Sequence, residues 1–145
     1  MKADHDRVKK LLEEVSSTTD RAVKTREDLF RKIHSELQVH EAIEEEIFYP
    51  ALKEHPKTRD LALEAYEEHH VVDTIMSEIA QVPVDDETWM AKFTVMKENL
   101  EHHIEEEETE MFEQARKVFD SSELEALGSR MADRKGQLQD SVSAA

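Results

Sequence analysis

The stretch His40-Glu-Ala-Ile-Glu44-Glu45-Glu-Ile47-Phe48-Tyr49-Pro50 decides how this chain is read. An imidazole and a carboxylate four positions apart lie on one face of a helix, about a turn from each other. Here they interrupt an apolar stripe, Leu29, Ile33, Leu37, His40, Glu44, Ile47, Ala51, that advances in steps of three and four. A helix that turns His and Glu into its apolar face places polar donors in a core. The same arrangement recurs at His103-Ile-Glu-Glu-Glu107-Glu108, with Met111 and Phe112 behind it, on the stripe Trp89, Phe93, Met96, Leu100, His103, Glu107, Met111. A lone histidine precedes each copy, His5 the first and His69 the second. His5 and His69 stand 64 positions apart, and His40 and His103 stand 63 apart. Four imidazoles and two carboxylates repeated at near-constant offset point to a polynuclear metal site built by two related halves.

Outward from these stretches the chain reads as helix throughout. Val8, Leu11, Leu12 and Val15 define a first helix over 2–17, with His5 on their face. Ser16-Ser-Thr-Thr-Asp20 breaks it with good N-cap residues, and a second helix follows over about 20–54. His55-Pro56 ends that helix, because a residue before proline resists helical geometry. Leu61, Ala65, His69, Val72, Met76 and Ile79 mark a third helix over 57–81. Val82-Pro83-Val84-Asp85-Asp86 is a connection in which Asp85 or Asp86 is the N-cap, and a fourth helix runs over 86–118. Asp120-Ser-Ser-Glu123 is a capping box for a short last helix over 121–138, which Gly128 and Gly136 weaken; Ser141-Val-Ser-Ala-Ala145 is expected to fray. No alternation of β-branched residues persists. The expected fold is all-α: an up-down-up-down four-helix bundle, core 3–118, with a short additional C-terminal helix, forming one domain over 1–145.

Composition narrows the chemistry. The net charge of −16 disfavours nucleic acid and anionic lipid as partners, because both would repel the chain. With no cysteine, disulfides, thiolate nucleophiles, zinc–thiolate sites and iron–sulfur clusters are excluded. No apolar run approaches a membrane span and the N-terminus lacks a signal peptide's apolar stretch, so the expected compartment is the cytoplasm.

Helical phase also chooses among the histidines. Val72, Met76 and Ile79 follow His69 at +3, +7 and +10, so His69 faces the core and His70 points aside. Met96, Leu100 and Glu107 select His103 over His102 in the same way. His34 and His55 read as structural or solvent-exposed, and the Glu45-Glu46 and Glu105-Glu106-Glu108 runs as solvated faces, one of which could support a ligand imidazole. Buried without a counter-ion, such a set would cost several kcal/mol per charged group, and a bound metal offsets this. Nitrogen and carboxylate donors suit iron, manganese or zinc; carboxylate bridges in a helical-bundle core favour a non-haem di-iron centre. The order, His first with Glu four later, differs from the Glu-x-x-His of ferritin-like bundles.

Asp4-His5, His40-x3-Glu44-Glu45-x2-Phe48-Tyr49-Pro50, Glu68-His69-x2-Val72-x3-Met76 and His103-x3-Glu107-Glu108-x2-Met111-Phe112 together resemble the hemerythrin-like (HHE cation-binding) domain, over about residues 3–117. The resemblance implies that His5, His40, His69 and His103 are iron ligands and that Glu44 and Glu107 bridge two irons, with an oxo or hydroxo bridge expected. The family includes oxygen carriers, oxygen, redox or iron sensors, nitric-oxide-handling proteins and peroxide-decomposing members. This chain departs from the oxygen carriers at Ala65, one turn before His69, where they have a further histidine. Tyr66, Glu41 or water could fill that position.

The function expected is binding of a small ligand (oxygen, nitric oxide or peroxide) for sensing, storage or detoxification. The alternative is a catalase-like di-iron enzyme, and a metal-free interaction bundle is a third reading. Beyond the bridging carboxylates and Tyr66 the sequence shows no evident general base.

Overall fold

A computed structural model describes residues 1–144, all of its regular structure helical. The elements are α1 (Lys2–Ser16), α2 (Val23–Ile43), a π turn (Glu44–Phe48), α3 (Tyr49–Lys53), α4 (Pro56–Ala80), α5 (Trp89–Glu106), a second π turn (Glu107–Met111), α6 (Phe112–Val118) and α7 (Ser121–Ala144). The backbone is helical without interruption from α2 through α3 and again from α5 through α6, so the chain forms five helical runs among the described residues. None is long and apolar enough to cross a membrane.

Local signals account for the boundaries. Asp86 accepts hydrogen bonds from the backbone N–H and the hydroxyl of Thr88, at 2.8 and 2.6 Å, just before α5 begins at Trp89 rather than at 86. Asp120 and Glu123 form the reciprocal capping box: Glu123 N–H donates to Asp120 Oδ1 at 2.8 Å and Asp120 N–H to Glu123 Oε1 at 3.0 Å.

Contacts divide the chain into two units, Met1–Leu37 with Glu68–Ile104, and Gln38–Glu67 with Glu105–Ala145. The first unit is built around Leu12, Val15, Ile33, Ile79, Phe93 and Met96, drawn from α1, α2, α4 and α5. Trp89 stacks on Phe93 with centroids 5.4 Å apart and takes the edge of Phe30. The buried Arg26 guanidinium lies 5.0 Å above the Trp89 ring and donates to Thr18 Oγ1 and to the Val84 carbonyl. One cation thereby ties the α1–α2 and α4–α5 connections together. The second unit buries Ile43, Phe48, Leu52, Met111, Ala115, Phe119, Leu127 and Met131.

Two expectations are corrected. The last helix is not short and does not end at 138: α7 continues through Ala144, and of the segment expected to fray only Ala145 lies outside the described residues. Two helical glycines cost about 1 kcal/mol each relative to alanine. Burial of Leu127 and Met131 offsets that cost, and so does the two-pronged contact of Arg134 with Glu46, in which the arginine Nε and Nη2 donate at 2.7 and 3.3 Å. The second correction concerns phase. A π turn adds one residue to a helical turn, so beyond Glu44 the buried stripe shifts. Leu52 is fully buried where the regular pattern placed Ala51, which is only half-buried.

Candidate metal centre

In the second unit, α2 delivers His40 and the π turn delivers Glu44, while the second π turn delivers Glu107. His40 Nε2 lies 3.3 Å from Glu44 Oε1 and 3.9 Å from Glu107 Oε1. The donor atoms of the three residues lie within 4.8 Å of one another, and both carboxylates have zero exposure. Two buried carboxylates beside one imidazole repel each other in a medium that screens poorly. A cation resolves that repulsion, and the nitrogen-plus-carboxylate set fits a first-row transition metal.

In the first unit, α1 places His5 in the interior at 2% exposure, and α4 and α5 bury His69 and His103. The donor atoms of His69 and His103 come within 4.8 Å, with ring centroids 4.8 Å apart at a steep angle. His70 and His102 are exposed, as the helical phase requires. His103 Nδ1 lies 2.8 Å from Glu68 Oε1.

The hydroxyl of Tyr49 donates to Glu107 Oε2 at 2.7 Å. Burial, then the negative charges of Glu44 and Glu107, push the Tyr49 phenol far above its usual range, so it stays a proton donor at neutral pH. Tyr66 packs edge-on to Tyr49 at 5.3 Å and donates to the main-chain oxygen of Glu45 at 3.1 Å. Burial raises the Tyr66 phenol first, and the Glu45 charge adds to it.

The hemerythrin HHE cation binding domain matches residues 1–115 of the chain. The chain belongs to this family. Its HHE domain resembles an uncharacterized protein of Mycobacterium tuberculosis and one of Mycobacterium bovis, each 31% identical over 114 residues that span 78% of this chain and 69% of the relative. The crystal structure of a hemerythrin HHE cation binding domain-containing protein from Mycobacterium kansasii superposes with a TM-score of 0.85. It is 30% identical and covers 97% of this chain and 85% of that one. The fold is therefore hemerythrin-like and all-helical, and the HHE domain is a metal-binding one that carries buried His and Glu clusters.

Every sequence-predicted donor of this HHE domain, His5, His40, Glu44, His69, His103 and Glu107, is buried. Of the residues weighed for the position left by Ala65, which is itself fully buried, Glu41 is buried and Tyr66 is half-buried with its hydroxyl on a main-chain oxygen. His34 is exposed in an open cleft with Phe30 and Trp89, and His55 packs edge-on against Phe119 at 4.9 Å. Two residues that the quoted motifs include, Tyr49 and Glu68, make contacts the sequence reading does not assign. Tyr49 sits inside the quoted motif, but only the π turn directs it to Glu107. Glu68 adjoins His69, and nothing in its local pattern separates it from Glu67.

Proposed function

We propose that this HHE domain is a non-haem di-iron protein that binds a small ligand, oxygen, nitric oxide or peroxide, for sensing, storage or detoxification. The carrying observation is the convergence of His40 with the fully buried carboxylates of Glu44 and Glu107. On this reading His5, His40, His69 and His103 hold two irons, and Glu44 and Glu107 bridge them, in an up-down-up-down bundle in the cytoplasm. The irons, when bound, supply an open coordination position and a charge that can change. The chain's own groups do the rest. Glu44 and Glu107 would bridge the metals and set their separation, and the Tyr49 hydroxyl holds Glu107 Oε2 in place.

Metal content and the optical spectrum of protein from iron-replete cells test this, before and after oxygen or nitric oxide. Two irons per chain with an oxo-bridged absorption that responds to the ligand is the expected result; less than about one iron per chain would sink the reading.

Peroxide decomposition is the second reading. It is favoured by Ala65, which removes a nitrogen donor relative to the oxygen carriers, and by the buried Tyr49 hydroxyl on Glu107. Sustained oxygen release from added peroxide, lost in His103→Ala, would select it over simple binding.

A further inference from the structure

We propose that Glu68 is a positioning residue that fixes the tautomer and ring orientation of His103 for metal binding. The inference rests on the metal-binding reading of this HHE domain and concerns one residue that reading does not use. His103 Nδ1 lies 2.8 Å from Glu68 Oε1, and the contact joins α4 to α5 across 35 positions of sequence.

A carboxylate only accepts, so the proton of a neutral imidazole facing it sits on Nδ1 and leaves the Nε2 lone pair available. A ring held this way is a stronger and better-aimed nitrogen donor than one free to change tautomer. The imidazole is buried and the carboxylate is mostly so, with side-chain exposures of 4% and 22%. The hydrogen bond is thus shielded enough to orient the ring, unlike a surface ion pair.

The helix explains why the same segment does both jobs. Successive residues of an α-helix point about 100° apart, so α4 sends His69 inward beside the His103 ring and Glu68 to the flank of that ring. Two adjacent residues of one helix therefore supply a donor and the orienter of a second donor on the neighbouring helix. Glu67, the next residue back, is exposed and serves as the charge-matched control.

Two measurements on the full chain test the assignment. In the metal-free wild type, nitrogen-15 shifts of the His103 ring should report a protonated Nδ1; protonation at Nε2 instead overturns the assignment, with no variant needed. Anaerobic titration with iron(II) against a competing chelator should show Glu68→Gln binding about 10- to 100-fold more weakly than wild type, with Glu67→Gln unchanged. Circular dichroism of the metal-free variants checks that the helices persist. Iron binding by the wild type with Glu68→Gln within twofold of it overturns the role of Glu68 alone. Failure of the wild type to bind iron overturns the metal reading itself.

Discussion

Tyr49 and Glu107, 58 positions apart in the chain, meet in the interior through a 2.7 Å hydrogen bond in which the phenol donates to the carboxylate. Both side chains have zero exposure. Tyr49→Phe keeps the ring and removes only the donor, so it opens no cavity and withdraws one partner from a buried carboxylate. The metal-free protein is expected to lose about 1–3 kcal/mol, seen as a lower urea midpoint at constant m-value. An unchanged midpoint would show that the hydrogen bond contributes nothing net.

Metal should stabilise this HHE domain by mass action, because the donors are assembled only in the folded chain. At a free metal concentration of 100 times Kd the gain is about 2.7 kcal/mol. A chelator should therefore lower Tm by several degrees in a scan of iron-loaded protein. The same chelator should leave the Tm of a Glu44→Ala/Glu107→Ala double variant unmoved.

Lys97 reaches from α5 to Glu13 on α1, with Nζ 2.7 Å from Oε1. The Glu13 hydrogen bond raises its pKa above 10.5 against an opposing effect of burial, and the Glu101 charge adds to the rise. A raised lysine pKa stabilises fully below the unfolded value, and that contribution fades as pH climbs through the folded one. Lys97→Met should cost less than about 1 kcal/mol near neutrality, because Glu13 is two-thirds exposed. The difference from wild type in urea denaturation should shrink above pH 10.5; a constant difference would discount the ion pair.

Gly128 and Gly136 lie on exposed positions of α7, and a Cβ built on either meets nothing within 4 Å. Alanine at each site restricts the unfolded chain without a clash. A gain of about 0.5–1 kcal/mol per substitution is expected, read as a rise of a few degrees in Tm. Destabilisation would mean that α7 needs its glycines for something other than space.

Much of the fold and most of the candidate site are legible in the amino-acid order. The stripes through Ile33, Phe93 and Met96 place the helices, and the same phase separates His69 from His70 and His103 from His102, since a helix converts spacing directly into direction. Asp120 and Glu123 announce the start of α7 through a cap that needs only neighbouring residues. The length of α7 is not legible, because its persistence depends on Leu127 and Met131 finding buried surroundings and on Arg134 finding Glu46.

By itself, then, the amino-acid order determined where the helical runs lie, the end of α7 excepted, and which six His and Glu side chains turn inward, because both follow from interactions over three or four residues. Tertiary structure decided the rest. It placed π turns at Glu44–Phe48 and Glu107–Met111, brought Tyr49 to Glu107, and set Glu68 against His103. One extra residue in a helical turn changes the backbone hydrogen bonding too little to leave a mark in composition. Partners 58 and 35 positions apart are chosen only when the helices that carry them pack.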